Sequence, residues 1–288
     1  MKICAITMVY RDHWALAQWY MHYARHLGAE NLFVVAHGAD PALAALCPGA
    51  NILTVPRDRL DGFDGLRDRV LNGIQAGLSA VYDWVIRTDA DELVCLDPDL
   101  HGSFADLLGA QQSDAVFALG LNIAEQLEDP PLEAGAPALP LRPTAMFSGH
   151  YSKAWAVRNG LPLIRHGVAV RGRQLERFPF TLPRGVYLAH LKYASRAALE
   201  EANQHRQEIA TGDGKGLPGS AWAKPRIAAR KFYNGVHRMP ELPWEEAERQ
   251  AHAEVSTDPT REPGKGVIRA RNIRFKARTA LPERIRSF

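Results

Sequence analysis

The chain has 288 residues, 46% of them hydrophobic and 23% charged, with a formal net charge of +3, and suits one large core or one core with a subdomain. No stretch approaches the roughly 18 consecutive apolar residues of a membrane span, and the opening MKICAITMVYRDHW lacks the zones of a signal peptide, so a cytoplasmic protein is expected. Cys4, Cys47 and Cys95 are odd in number and form no CxxC pair, which disfavours both a disulfide framework and a zinc knuckle.

In chain order, KICAITMV (2–9) is an apolar run of strand length. Trp14, Ala17, Met21, Ala24 and Leu27 then recur at helical spacing until Gly28. NLFVVA (31–36) and NILTV (51–55) read as strands. Leu66, Val70, Ile74, Leu78 and Val81 mark a second amphipathic helix leading into the strand DWVIRT (83–88). Strands apolar on both faces and separated by helices predict an α/β fold, a mostly parallel sheet flanked by helices and Rossmann-like in its first half.

Beyond Asp97 the pattern loosens. DAVFALGL (114–121) reads as a strand, 128–143 as a Pro- and Gly-rich loop, and SKAWAV (152–157), LIRHGVAV (163–170) and VYLAHLKY (186–193) as later strands. Helices are expected after Ser195 and over 243–254. GDGKGLPG (212–219) reads as a mobile loop placed to cover a ligand. The expected organisation is a catalytic domain over 1–260, with a nucleotide-binding half (1–97) and an acceptor-side half (98–260), followed by a basic tail over 261–288. The tail holds nine of the 35 Lys and Arg but two of the 32 acids, so the first 260 residues are mildly acidic.

The strand DWVIRT runs straight into Asp89, Asp91 and Glu92. In open parallel sheets ligands bind outside the carboxyl ends of the strands. Carboxylates so crowded repel unless a cation neutralises them, which makes Asp89 and Asp91 a divalent-ion platform. A bare D-x-D is equally a solvated acidic turn or a helix cap. His22 and His26 form an HxxxH pair that lacks the third ligand of a zinc site. No GxxxxGK[ST], GxGxxG or G-x-S-x-G is present, which disfavours P-loop enzymes, dinucleotide dehydrogenases and serine hydrolases.

TDADEL after DWVIR resembles the DxD motif of GT-A glycosyltransferases, family 2-like in particular. The opening strand and the helix carrying Trp19, His22 and Gly28 resemble that family's start, over residues 1–97. The resemblance implies transfer of a sugar from a nucleotide-sugar donor, most often a UDP-sugar, to a glycan or lipid-linked acceptor, with Mn2+ or Mg2+ bridging the motif and the diphosphate. It implies a donor site at Thr7, Met8 and Val9, at His37 or Asp40 where relatives carry an acid, at Arg67 and Asn72, and at Asp89. Arg69 is the weaker member of that set, reading rather as a solvated helix position. Metal ligands would be Asp89, Asp91 and a later histidine, His190 or else His166. The base for an inverting transfer would be Glu125 or Asp129. A sugar nucleotidyltransferase is the alternative enzyme, although it would want a Gly-rich loop after the first strand. A non-catalytic carbohydrate- or polyanion-binding module is the alternative of another class. The tail's apolar and basic residues suit an anionic membrane surface at the inner face, or packing on the catalytic domain, and nucleic acid is not an expected partner.

Overall fold

The computed structural model describes residues 1–58, 62–133, 135–164, 166–211 and 220–288. The loop expected over 212–219 lies outside the described residues.

Strand β1 (Ile3–Val9) is buried along its whole length. Its alternate side chains serve two layers, because successive Cβ atoms point to opposite faces. Ala5 and Val9 join the larger core with Leu16, Trp19 and Tyr23 of α1 (His13–Leu27). Cys4, Ile6 and Met8 meet Leu71, Val70 and Ile74, which belong to α3 (Phe63–Leu78). The two helices therefore cover opposite faces. Helix α1 starts where the Asp12 carboxylate accepts the Ala15 N–H, and it stops at Gly28, whose φ of +82° is open to glycine. Strand β2 (Leu32–His37), the short α2 (Leu43–Leu46), β3 (Asn51–Val55) and β4 (Trp84–Arg87) complete a parallel block in the order β3-β2-β1-β4. This is the predicted Rossmann-like half. Strand β3 is its outer edge and mostly exposed, so NILTV is half-covered rather than sandwiched. Helix α3 ends at Leu78, leaving Val81 in solvent.

Beyond β4 the sheet turns mixed. Strand β5 (Glu92–Leu96) follows the acidic turn and α4 (Phe104–Gly109) leads to β6 (Ala115–Ala124). After α5 (Ala138–Leu141) come β7 (Thr144–Phe147), β8 (Lys153–Val157), the β9 (Leu163–Ile164) and β10 (Gly167–Ala169) hairpin, and β11 (Val186–Tyr193). Strand β8 lies antiparallel between β4 and β6, while β11 runs parallel to β6 and antiparallel to β5. LIRHGVAV is thus a hairpin with His166 at its turn. The irregular 128–143 stretch is pinned by Arg142, fully buried and donating to the carbonyls of Ala194, Leu141 and Pro130.

Helices α6 (Arg196–Ala210), α7 (Ser220–Ala223), α8 (Pro225–Arg238) and α9 (Trp244–Ser256) follow. Strands β12 (Thr260–Glu262) and β13 (Val267–Arg269) join β10 and β9 in a second sheet, and β14 (Thr279–Ala280) pairs with β7 ahead of α10 (Glu283–Arg286). Ile268, Leu281 and Ile285 are buried in the main core. No helix among the described residues is long and apolar enough to cross a membrane.

Candidate functional site

A cleft of about 810 Å³ opens at the carboxyl ends of β1, β2 and β4. Met8, Val9 and His37 line it from the strand ends, Arg67, Arg69 and Asn72 from α3, and Asp89, Asp91 and Glu92 from the acidic turn. Lys153, His166, His190 and Lys192 line it from the later strands, and Arg206 and Trp222 from α6 and α7.

The acidic turn is held from beneath by α1. The Trp19 Nε1–H donates to Thr88 Oγ1 at 2.9 Å, Thr88 donates to the Tyr23 hydroxyl at 3.4 Å, and the Val94 N–H donates to the same hydroxyl at 3.1 Å. His22 Nε2 donates to the Val94 carbonyl at 2.8 Å. The aromatic pattern of the first helix therefore clamps both flanks of the acids, and His22 serves as a structural donor. Burial lowers its pKa to about 3, so the ring is neutral.

The three acids have separate environments. Glu92, with a side chain 1% exposed, accepts the Asp89 N–H at 2.9 Å and meets Lys153 Nζ at 2.6 Å. Burial, with Asp89 and Asp91 adding repulsion against the pull of Lys153, pushes its pKa up to about 7. Asp89 is bound by Arg67 on one oxygen and by Lys153 at 3.3 Å on the other. Burial would raise its pKa, but those two cations hold it well below the usual carboxylate range.

Asp91 faces His190, with Oδ2 and Nε2 3.5 Å apart. Arg206 Nη2 stands 3.5 Å from the same oxygen and 3.7 Å from Asp12. Against burial, His190 and Arg206 keep the Asp91 pKa at about 2. Burial lowers the His190 pKa against the pull of Asp91. Its Nδ1–H donates to Asn122 Oδ1 at 2.9 Å, which fixes the ring with Nε2 turned toward the Asp91 carboxylate. Tyr151 stacks on the imidazole at 3.8 Å between centroids. That ring is placed by a close approach: a Cβ on Gly120 would lie 2.3 Å from the Tyr151 carbonyl carbon.

Among the described residues no group of three His, Cys, Asp or Glu side chains is placed to hold a metal. Asp91 and His190 form a two-donor face instead. That face suits Mg2+ or Mn2+, which keep waters and take phosphate oxygens for the remaining positions. The fixed Nδ1 partner is the outer support that ligating histidines use.

The other sequence candidates take varied places. Thr7 is buried with its hydroxyl unpartnered, beneath the cleft floor. His37 accepts from Arg57 at 3.0 Å, and Asp40 pairs with His13 at 2.7 Å away from the cleft lining. Asn72 is saturated by Arg87 at 2.6 Å and the Leu163 backbone at 3.0 Å, tying α3 to β4 and β9. His166 has φ +68° and donates from Nδ1 to the His150 carbonyl at 2.6 Å, with burial lowering its pKa to about 4. Glu125 accepts the Arg196 N–H at 2.5 Å, and Asp129 accepts the Gln126 N–H at 2.8 Å. Neither acid lines the cleft.

Sequence reasoning missed Lys153, Lys192 and Arg206. Lys192 is mostly buried beside Arg206 and has no carboxylate within 4 Å among the described residues. Burial and Arg206 lower its pKa to about 8. The Nη1 of Arg206 is buried without a hydrogen-bond partner. Lys192 thus has no ion-pair partner among the described residues, whereas Arg206 has two carboxylates and one free donor nitrogen. The alternation in VYLAHLKY carries a signal for Lys192, two residues after His190 on the same face.

No family model matches the chain, and no curated protein matches it. Among solved structures it is similar to a mannose-1-phosphate geranyltransferase from Thermus thermophilus, with a TM-score of 0.30, 14% identity, and coverage of 98% of this chain and 74% of that one. It is also similar to a CMP:2-keto-3-deoxy-manno-octonic acid synthetase complexed with CTP, with a TM-score of 0.29, 13% identity, and coverage of 81% and 86%. Likeness at these scores carries no statement about the site.

Proposed function

We propose that the cleft binds a nucleotide-diphosphate sugar together with Mn2+ or Mg2+ and transfers the sugar to a glycan or lipid-linked acceptor. The observation that carries this reading is the Asp91–His190 pair, two electron-pair donors 3.5 Å apart at the end of β4, with cations on either side. Asp91 and His190 would hold the ion, and Asn122 keeps the imidazole nitrogen turned toward it. When bound, the ion neutralises charge developing on the departing diphosphate.

Lys192 and Arg206 lie beside Asp91 and would take diphosphate oxygens, Lys192 through its ammonium and Arg206 through its unpartnered Nη1. Asp89 is fixed by Arg67 and Lys153 and, at 37% side-chain exposure, keeps lone pairs for a donor hydroxyl. Met8, Val9 and His37 would frame the nucleoside, with uridine the first choice. Tyr151, stacked on His190, would wall the metal side of the cleft.

The test is release of nucleoside diphosphate from UDP-sugars with Mn2+ present. Asp91→Asn keeps the side chain's shape and removes its charge, and it should lower the rate by about a hundredfold or more. An Asp91→Asn protein as fast as wild type would remove the reading.

A further inference from the structure

Six of the nine cations of the tail are paired with carboxylates or donate to backbone carbonyls. Arg261 donates to the carbonyls of Leu175 and Phe178, Lys265 and Arg269 pair with Glu262, and Arg278 pairs with Glu241. Arg284 binds Asp97 and Asp99, and Arg286 donates to the carbonyls of Leu281 and Pro140. Helix α8 does the opposite. From Lys224 to Pro240 the chain contains no acidic residue and carries Lys224, Arg226, Arg230, Lys231 and Arg238, all exposed. Arg226 pairs with Glu200, and the other four have no carboxylate partner among the described residues.

At 100° per residue these five side chains, with His237, occupy one half of the helix surface. Ile227, 45% exposed, lies in the middle of that half. The opposite half carries Pro225 and Val236, which are buried, and Phe232 and Tyr233, which pack with Tyr193. The helix is thus anchored by its apolar side and offers solvent an uncompensated cationic face with an isoleucine at its centre. Trp222, which lines the cleft, stands two residues before Lys224.

We propose that the outer face of α8 docks the protein on an anionic lipid bilayer, bringing the cleft mouth to the membrane surface. Charge complementarity selects an anionic partner. The exposed Ile227 at the centre of the face selects a bilayer, whose interface accepts an apolar side chain, over a purely polar polyanion. Docking does not depend on what the cleft transfers.

The test is sedimentation of the full chain with phosphatidylglycerol vesicles, with phosphatidylcholine vesicles as the neutral control. Wild type should bind the anionic vesicles alone, and less as salt rises. Lys224→Glu, Arg230→Glu, Lys231→Glu and Arg238→Glu combined should weaken partitioning by about a hundredfold or more. Glutamine at the same four positions should weaken it less, and circular dichroism should show both variants folded, since these side chains are exposed. Glutamate at Arg271, Arg274 and Lys276, tail cations with no carboxylate partner among the described residues, should leave partitioning close to wild type. Docking by α8 is overturned by absence of binding, by equal binding to neutral vesicles, by wild-type binding in both α8 variants, or by capture on heparin or DNA with none on vesicles.

Discussion

Trp19 donates its indole N–H to Thr88 Oγ1 at 2.9 Å, one residue before the first acid of the turn. Both residues are buried, so the bond is shielded from competing water and fixes the exit of β4 against α1. Trp19→Phe should cost about 1–3 kcal/mol, from the lost hydrogen bond and the smaller ring. In urea denaturation, a double-mutant cycle with Thr88→Val should show coupling of about 1 kcal/mol. Additive losses would mean the pair acts only through packing.

Lys153 is the shared counterion of Asp89 and Glu92. Lys153→Met leaves the buried Glu92 without its cation and Asp89 with Arg67 alone, and should destabilise the fold by about 3 kcal/mol. Adding Glu92→Gln should restore part of that loss, because the stranded charge is gone. A Lys153→Met protein as stable as wild type in chemical denaturation would show that the ammonium is not needed there.

The acids also set a pH dependence. The folded pKa of Glu92, about 7, lies above its ordinary value of 4.5, so the stability it contributes is complete below about 4.5 and lost as pH rises through 7. Asp91, at about 2, lies below its ordinary 3.8, so its contribution is present above that value and lost as pH falls through 2. Between pH 4.5 and 7 the melting temperature of wild type should therefore decline relative to Glu92→Gln. Parallel profiles for the two proteins would contradict the assignment.

Much of the first half is legible in the sequence because each strand and helix carries its own period. β1 is a nearly all-apolar run and is sandwiched, and α1 shows its helical period and its stop at Gly28, but the face it buries carries Ala15, Leu16, Trp19, His22 and Tyr23, while the Trp14, Ala17, Met21, Ala24 and Leu27 stripe is only partly covered. The edge position of β3 is hidden, since the same apolar letters serve a covered strand and an outermost one. Asp89 and Asp91 stand out as charge at a strand end, and Arg67 of α3 is a nearby partner the sequence offers, whereas their other partners come from β8, β11 and α6, far along the chain, and no local pattern records such a meeting. Glu92 reads only as the third acid of the run, with no role of its own. The turn folds it inward, where it braces the Asp89 backbone.

Arg206 competes with any cation for Asp91 while offering an unpartnered Nη1 to an anion. Arg206→Met should therefore tighten Mn2+ alone by a few-fold and weaken UDP at fixed Mn2+ by about tenfold, a charged hydrogen bond being worth about 1.5–3 kcal/mol. Titration calorimetry separates the two effects. A variant unchanged in both would assign Arg206 to the packing of α6.

Glu125 and Asp129 are occupied as caps of nearby backbone N–H groups and do not line the cleft. Glu125→Gln and Asp129→Asn should keep kcat within about threefold of wild type, below the roughly 10²–10⁴ that removal of a general base costs. A larger loss in kcat with unchanged KM would place that acid at the reacting atoms.

The central claim is that Asp91 and His190 hold a divalent ion under a nucleotide diphosphate. Titration calorimetry of UDP against wild type, Asp91→Asn and His190→Ala, each with and without Mn2+, tests it most directly. The expected result is wild-type binding at least about tenfold tighter with Mn2+, a gain of roughly 1.4 kcal/mol, absent in Asp91→Asn and reduced in His190→Ala. Equal UDP affinity with and without Mn2+ in the wild type, or an undiminished gain in Asp91→Asn, would contradict it.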